Sequence, residues 1–219
     1  MMSNTLNGHL QHDHINPVNV RTFFLRNMIL PDQQLTELLK SGNEAAFRSL
    51  VASYQDKVVN TCYGFLHDED DAKDAAQEVF MEIHRSISQF KGDAKLSTWI
   101  YRIAVTKSLE HIRKRDRKKR FGFLRGLLGT ETEPDELENK SVPKPDENME
   151  IDERKKVLMK HIHELNDSQR TAVVMLYFEE LSYQEIADVM QTSVSSIESL
   201  LFRARQNLKK KLSGFYEHQ

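Results

Sequence analysis

The sequence is poor in the residues that organise disulfide-bonded and loop-rich proteins. Its 219 residues include one cysteine, five prolines and eight glycines. A single cysteine, Cys62, excludes an intramolecular disulfide framework and favours a buried thiol in a reducing compartment. Scarce glycine and proline predict an all-α fold rather than a β-sandwich. No apolar run approaches the ~20 residues of a membrane span, and residues 1–20 lack the apolar core of a signal peptide, so we expect neither.

The sequence also has almost no net charge, because 31 Lys and Arg residues oppose 33 Asp and Glu residues. Locally the charge is uneven: residues 67–82 carry a net charge of -6, residues 101–120 +7, residues 131–153 -8 and residues 203–212 +5. Blocks of like charge repel themselves, so they usually serve a partner or stay solvated. Two basic blocks, each ending an amphipathic helical pattern, indicate a polyanionic partner.

Apolar residues recur at spacings of three and four in two separate stretches, which is typical of amphipathic helices. We therefore predict two helical domains, residues 32–120 and 149–213, joined by a flexible acidic linker at 121–148. Residues 1–31 and 214–219 are predicted to be tails. In the first domain the last helix is expected to run from about Ser97 to Arg120. In the second, the first helix is expected to bury Ile151, Leu158, Ile162 and Leu165.

The second domain ends in the pattern of a helix-turn-helix. Ser182 and Glu185 have the spacing of a capping box at a helix start. A three-residue turn at 191–193 then leads into a helix whose apolar stripe comprises Val194, Ile197, Leu201, Ala204 and Leu208. Short hydroxyl side chains and arginines on the opposite face suit a helix lying in a DNA major groove. An ordinary helical hairpin with a basic rim is the alternative.

These residues resemble bacterial RNA polymerase sigma factors, and most closely their extracytoplasmic-function group. The segment LSYQEIA at 181–187, with SV at 193–194 and RAR at 203–205, resembles sigma region 4. In the first domain, DAKDAAQEVF at 71–80 resembles the region 2 helix that docks on core polymerase. FKGD at 90–93, followed by STWIYRIA at 97–104, resembles the promoter-melting loop and helix. The resemblance covers residues 32–120 and 149–213.

The resemblance implies that region 2 binds core RNA polymerase at its β′ coiled coil and opens the −10 element, while region 4 reads the −35 element as duplex. The β flap, promoter DNA and an anti-sigma factor are further implied partners, with no small-molecule substrate and no membrane insertion. The implied core-binding residues are Asp71, Asp74, Gln77, Glu78 and Phe80. The residues implied to contact the −10 element are Gln89, Phe90, Lys91, Asp93, Lys95, Ser97, Trp99, Tyr101, Arg102, Lys107, Arg113 and Arg115. The residues implied to contact the −35 element are Ser182, Tyr183, Ser193, Ser195, Ser196, Glu198, Ser199, Arg203 and Arg205.

Within the melting region, polar loop side chains are expected to hydrogen-bond a flipped base, and Phe90 or Tyr101 to stack on one. Trp99 has a second possible role as a core anchor. Gln191 stands where the family commonly has glycine, so the first helix of the pair is expected to end without a left-handed residue. Glu198 replaces a cationic contact, and Thr106 stands where asparagine is common, so the preferred −35 and −10 sequences stay open.

Two other functions compete with this interpretation. A free-standing helix-turn-helix regulator of duplex operators explains the second domain but leaves the segment 71–80 without a role. An enzyme is disfavoured, since the sequence has no phosphate-cradling glycine loop, metal-ligand spacing or nucleophile with a neighbouring base. We therefore expect no enzymatic activity, no cofactor and a cytoplasmic location. The acidic linker is either a nucleic-acid mimic in a basic channel or an extended spacer.

Overall fold

The computed structural model describes residues 32–127 and 147–216, with side chains described for 32–121, 154 and 156–213. The predicted N-terminal tail and most of the predicted linker lie outside these ranges. The described ranges contain α-helices, one short 3₁₀ helix (Ile87–Gln89) and no strand, which confirms the all-α prediction. The helices are α1 (Asp32–Lys40), α2 (Glu44–Leu66), α3 (Glu69–Ser86), α4 (Leu96–Leu127), α5 (Glu147–His163), α6 (Asp167–Tyr177), α7 (Tyr183–Met190) and α8 (Val194–Tyr216).

Short polar side chains set where several of these helices begin. Asn43 Oδ1 accepts a hydrogen bond from the Ala46 N–H at 3.0 Å at the start of α2. Asp68 Oδ1 caps α3 in the same way, and Asn166 Oδ1 caps α6 through the Gln169 N–H at 2.9 Å. Each cap satisfies a backbone donor that the helix leaves free, which contributes about 1 kcal/mol.

Helices α1 to α4 form the first bundle. Leu50 and Phe65 of α2, Ile83 of α3 and Ile100 of α4 are fully buried between the helices. On α3, the alanines at 72, 75 and 76 are buried, so their small side chains let the neighbouring helices approach closely. Helix α4 continues to Leu127, beyond the predicted end at Arg120. No proline follows until Pro134, and the glycines at 122 and 126 weaken a helix without ending it.

Helices α5 to α8 form the second bundle, with Ile162, Val174 and Ile197 among its buried residues. The prediction for Leu158 is wrong: its side chain is 39% exposed, because it faces a groove rather than the bundle interior. Arg170 is buried and closes the end of α5 by donating to the carbonyls of His163 and Leu165, the latter at 2.8 Å.

The two bundles pack directly against each other. Helix α2 contacts α6, and α4 contacts α7. Gly64 lies where the backbone of α2 meets α6: a Cβ added there would lie 2.8 Å from Val174 Cγ1 and 3.2 Å from the Phe178 ring. Glycine is therefore required at this crossing for the observed separation of the helices.

Candidate nucleic-acid interface

The helix-turn-helix predicted from the sequence is formed by α7 and α8. Ser182 Oγ accepts from the Glu185 N–H at 3.3 Å, and Glu185 Oε2 accepts from the Ser182 N–H at 3.0 Å, which confirms the capping box. Hydrogen bonding to Ser182 lowers the pKa of Glu185. Ser193 Oγ accepts from the Ser196 N–H at 3.2 Å and so begins α8.

The expectation for the turn is wrong. Gln191 itself adopts the left-handed conformation, with φ 53° and ψ 48°, and its N–H donates to carbonyls at the end of α7. Its side chain is exposed to solvent. A non-glycine residue in this conformation costs about 1–2 kcal/mol, which the packing of the two joined helices offsets.

Helix α8 presents one face to solvent and buries the other. Ile197, Leu201 and Ala204 are buried, as the sequence pattern predicts. The side chains predicted to contact the −35 element are mostly exposed: Ser182, Ser193, Ser195, Glu198, Ser199, Arg203 and Arg205 face solvent, while Ser196 and Tyr183 are half-buried.

Phe202 is a further residue of the exposed face of α8 that the sequence analysis missed. Its side chain is 62% exposed, and it borders a shallow concavity with Glu198, Ser199 and Arg203. A bare aromatic ring at this place suits apolar contact with a thymine methyl group. The sequence did carry a signal of this exposure: Phe202 lies outside the apolar stripe, whose residues at 201 and 204 point inward.

Two arginines of α8, on different sides of the helix, are held before any DNA is bound. Arg203 Nε donates to the Ser199 carbonyl at 3.2 Å. Arg205 Nε donates to the Tyr177 hydroxyl at 3.2 Å, a hydrogen bond that raises the pKa of Arg205. Both guanidinium groups thus have restricted orientation, which lowers the entropy lost when they contact a phosphate.

The predicted melting region consists of an exposed polar loop and of aromatic residues that are buried. Gln89, Lys91, Asp93 and Lys95 are exposed, and Ser97 is half-buried. Gly92 has φ +83°, which only glycine adopts readily, so this residue sets the turn of the loop. The loop presents its polar side chains to solvent, as a strand-binding loop requires.

The two aromatic rings predicted to stack on bases are not exposed. Phe90 is buried and packs on Trp99, with ring centroids 5.2 Å apart. Tyr101 is buried where its hydroxyl donates to Glu179 Oε2 at 3.1 Å. Trp99 is half-buried and packs against the core, which favours its anchoring role. Spacings of three and four residues predict which side chains share one face of a helix. They do not predict whether that face meets solvent or a second domain.

Several cations predicted to contact the −10 element lie against the second bundle in the structure. Arg102 Nη2 donates to the Asp188 carbonyl at 2.6 Å, and Arg113 Nη2 lies 2.9 Å from Asp167 Oδ2. Lys95 Nζ lies 4.0 Å from Glu185 Oε1.

Arg115 also contacts the second bundle, because its Nη2 lies 2.9 Å from Nε2 of His163 at the end of α5. Lys107 is instead held within the first bundle, between Glu82 and Glu110 at 3.5 and 3.4 Å. Lys95 and Arg113 remain largely exposed despite these contacts. Further along α4, Lys114, Arg117, Lys118, Lys119 and Arg120 are also exposed.

The predicted docking helix is α3, and its acidic residues fall on two sides. Asp71 pairs with Arg115 at 3.7 Å and Glu78 with His111 at 3.1 Å, so both face α4. Phe80 is half-buried against the core. Asp74 and Gln77 are exposed, and Met81 beside them is 58% exposed. We call Asp74, Gln77 and Met81 the docking stripe. Met81 was missed because methionine in a helix usually packs inward.

A groove of 1110 Å³ runs between the two bundles and is lined mainly by apolar side chains. Tyr63, His67, Leu158 and Tyr177 are among its lining residues. The described ranges contain no group of three or more His, Cys, Asp or Glu side chains placed to hold a metal ion. Nor does any helix within them have the length and apolarity to cross a membrane.

Comparison with known proteins agrees with this arrangement. Residues 50–118 match the family described as Sigma-70 region 2, and residues 150–208 match Sigma-70, region 4. The RNA polymerase sigma-H factor of Pseudomonas aeruginosa is 36% identical over 83% of this chain and 93% of its own. The ECF RNA polymerase sigma-E factor of Escherichia coli K12 is 30% identical over 84% of this chain and 95% of its own.

Solved structures share the fold. CnrH, in complex with the cytosolic domain of CnrY, gives a TM-score of 0.58 at 22% identity, over 84% of this chain and 97% of that one. RpoE of Bartonella quintana, in complex with the anti-sigma factor NepR, gives 0.52 at 19% identity, over 76% and 96%.

Two helical bundles, the second carrying a helix-turn-helix with an exposed polar and basic face, define a DNA-binding transcription factor. The chain belongs to the sigma-70 family of RNA polymerase sigma factors, in its extracytoplasmic-function group. Its role is to direct transcription initiation by core RNA polymerase at promoter DNA.

Proposed function

We propose a division of this role among the surfaces described above. The docking stripe of α3 binds core polymerase, the loop 89–97 with α4 holds the separated −10 strand, and α8 reads the −35 duplex. The observation that carries the proposal is the presence, on one chain, of an exposed acidic and apolar stripe in the first bundle and an exposed reading face in the second.

Docking on polymerase needs both charge and apolar contact. The carboxylate of Asp74 supplies attraction to a basic helical partner, which speeds encounter. The thioether of Met81 supplies a flexible apolar anchor. Because this side chain is exposed, it does not have to leave the hydrophobic core to contact a partner. Asp71 lies 3.7 Å from Arg115 and Glu78 lies 3.1 Å from His111, so both carboxylates are on the α4 side of α3 and outside this stripe.

Reading of the −35 duplex rests on α8. The serines at its N-terminus are small enough to let the helix backbone approach phosphates, which the positive end of the helix dipole favours. Arg203 lies further along the exposed face, where it reaches phosphates or guanine edges. Arg205 lies on another side of α8, beside Tyr177. Phe202 adds an apolar contact beside Arg203.

Opening of the −10 element requires compensation for lost base stacking, of about 1.4 kcal/mol per base-pair step. In the free chain, Gln89, Lys91 and Asp93 are available to a flipped base. The exposed cations at the end of α4 provide phosphate contacts, so their contribution falls with added salt. The step is strand capture without covalent chemistry.

We also propose that the chain has no enzymatic activity of its own, acts in the cytoplasm with the polymerase, and is controlled by an anti-sigma factor. The last of these is supported by the relative from Bartonella quintana, which was solved with the anti-sigma factor NepR. The β′ coiled coil and the β flap are the proposed contact sites on polymerase.

Permanganate footprinting tests the proposal, since it detects unpaired thymines. Core polymerase with the chain is expected to expose thymines near position −10 of a cognate promoter, whereas core polymerase alone exposes none. A free-standing regulator would instead protect duplex DNA by itself and would not co-purify with core polymerase. That outcome would overturn the proposed function.

A further inference from the structure

Helix α8 carries one carboxylate among side chains that suit a polyanionic partner. The segment Val194–Tyr216 has five basic residues and a single acidic residue, Glu198. The Glu198 side chain is exposed, and it borders the shallow concavity that it shares with Ser199, Phe202 and Arg203. A negative charge at this place repels DNA phosphates. Its position on a DNA-reading face therefore calls for a physical reason.

The carboxylate of Glu198 is not used to build the helix. Among the described residues, no hydrogen bond or ion pair engages it. The start of α8 is closed by serines, because the hydroxyl groups of Ser195 and Ser196 lie 3.0 and 2.9 Å from that of Ser193. The backbone N–H of Ile197 already donates to the Ser193 carbonyl, so Glu198 lies past the free N–H groups that a capping side chain would serve. Both of its carboxylate oxygens are available to a donor outside the protein.

Duplex DNA offers few donors to such a group. An ionised carboxylate accepts hydrogen bonds and donates none. In the major groove the only base donors are the N4 amino group of cytosine and the N6 amino group of adenine. The adenine amino group has an acceptor on each side, its own N7 and the O4 of the paired thymine. The cytosine amino group has an acceptor on one side only, the O6 of the paired guanine. A carboxylate is therefore repelled less at cytosine.

We propose that Glu198 reads a cytosine in the −35 element, its carboxylate accepting a hydrogen bond from the cytosine N4 amino group. The inference rests on the proposed function of α8 and names one base that this function selects. At a site with cytosine, the hydrogen bond offsets the repulsion between the carboxylate and the phosphates. At a site with another base the repulsion is uncompensated, so Glu198 also acts by rejecting the wrong sequences.

Phe202 sets the expected distance between two selected bases. It lies one helical turn beyond Glu198 at the same concavity, where its ring suits contact with a thymine methyl group. Residues four apart are separated by about 6 Å along a helix axis. Successive base pairs are about 3.4 Å apart. The cytosine and the thymine are therefore expected within two base pairs of each other.

A promoter library tests the proposal with the full chain and core polymerase. Each base pair of the upstream element of a cognate promoter is varied in turn, and the transcripts from each variant are counted by sequencing. The unmodified chain is compared with Glu198→Ala, Glu198→Gln and Glu37→Ala. Glu37 is an exposed carboxylate of α1, so Glu37→Ala controls for the loss of one negative charge outside the reading helix.

We expect the unmodified chain and Glu37→Ala to favour cytosine about tenfold over each other base at one position, with thymine favoured within two base pairs. Glu198→Ala should lose the cytosine preference and keep the thymine preference. Glu198→Gln should favour adenine at the same position, because a glutamine amide pairs with adenine N6 and N7. A residue that only stabilised the helix would not change the identity of the selected base. The absence of a preferred cytosine in the unmodified chain would overturn the proposal. So would a Glu198→Ala chain that raises transcription from all variants alike and keeps every base preference, because the carboxylate would then only repel phosphates.

A modified base tests the same contact without changing the protein. In a paired N4-methylcytosine, the methyl group replaces the amino hydrogen that points into the major groove, so the base pair is kept and the donor is lost. Placed at the preferred cytosine, it is expected to reduce promoter binding by the unmodified chain with core polymerase about tenfold and to leave binding by Glu198→Ala unchanged. Equal losses in both chains, or no loss in either, would overturn the proposal. Permanganate footprinting of the unmodified chain with core polymerase does not depend on Glu198, so its failure would refute the proposed function separately.

Discussion

The imidazole rings of His67 and His163 meet edge to face at the junction of the two bundles, with centroids 6.5 Å apart. His67 follows the end of α2 with φ 56°, and neither of its ring nitrogens has a hydrogen-bond partner among the described residues. His163 Nε2 lies 2.9 Å from Arg115 Nη2, so this nitrogen is the acceptor. A proton on either imidazole ring would place a positive charge close to other positively charged side chains.

Acidification is expected to destabilise the folded chain through His67. Burial, followed by the charges of His163, Arg115 and Arg170, lowers its pKa from 6.5 to about 4, while Tyr63 adds only a ring contact. Because the folded chain binds this proton less readily than the unfolded chain, the stabilisation is complete above pH 6.5. It is lost as the pH falls from 6.5 towards 4.

Urea unfolding at two pH values, one on each side of the unfolded pKa of histidine, measures this effect. The unmodified chain should lose more unfolding free energy on acidification than His67→Gln, with His84→Gln as the matched control on the exposed face of α3. The difference between variants cancels the contribution of Glu179, whose raised pKa acts in the opposite direction. Identical losses in the unmodified chain and His67→Gln would contradict the assignment.

Gln191→Gly is expected to stabilise the protein by about 1 kcal/mol, because glycine adopts the left-handed conformation of this turn without steric strain. The matched control is Gln206→Gly at an exposed position inside α8, which should destabilise by about 1 kcal/mol. Urea denaturation of the two variants measures both changes in unfolding free energy, the expected gain and the expected loss. A loss of stability in Gln191→Gly would show that the glutamine side chain has a role that the turn geometry does not reveal.

Arg203→Ala and Phe202→Ala are expected to weaken −35 binding in different ways. Loss of one phosphate contact should reduce the salt slope of duplex affinity by about one unit and act on all sequences alike. Loss of the ring should leave the salt slope unchanged and relax the preference among bases at one position. Affinities measured at several salt concentrations on a set of single-base variants separate the two. Equal salt slopes in both variants would contradict the assignment of Arg203 to a phosphate.

The docking stripe predicts that Asp74→Lys with Met81→Ala reduces affinity for core polymerase at least tenfold while leaving the melting temperature within a few degrees. Both residues are exposed, so the fold does not depend on them. Asp56→Lys, an exposed charge reversal on α2, is the control and should bind normally. Competition against a labelled unmodified chain measures the change. Unchanged affinity of the double variant would place docking elsewhere.

Much of the fold was predictable because its signals are local. The alternating spacings of Val194, Ile197 and Leu201 and the capping box at Ser182 depend on residues within one or two turns, and the structure confirms both. The same kind of signal failed for Tyr101, whose ring was predicted to be available for stacking. Its hydroxyl pairs with Glu179, 78 residues away in the sequence. A contact over such a separation produces no periodic pattern of residues along the chain.

The sequence predicted the residue types of the candidate site better than it predicted which of their side chains are exposed. Gln191 shows that a residue type can be overridden, since packing of two helices forces the left-handed turn without glycine. Gly64 shows the converse, because a lone glycine inside a helical pattern has no visible purpose until α6 is seen against it. The contacts of Arg102 with the end of α7 likewise required the arrangement of the two bundles.

Sequencing the 5′ ends of transcripts made by core polymerase on fragmented genomic DNA, with and without the purified chain, tests the central claim most directly. The chain is expected to create new start sites that share two short elements at a fixed separation upstream, and the Asp74→Lys, Met81→Ala variant should lose those sites while Asp56→Lys keeps them. Start sites identical to those of core polymerase alone would contradict the assignment of this chain as a promoter-directing sigma factor.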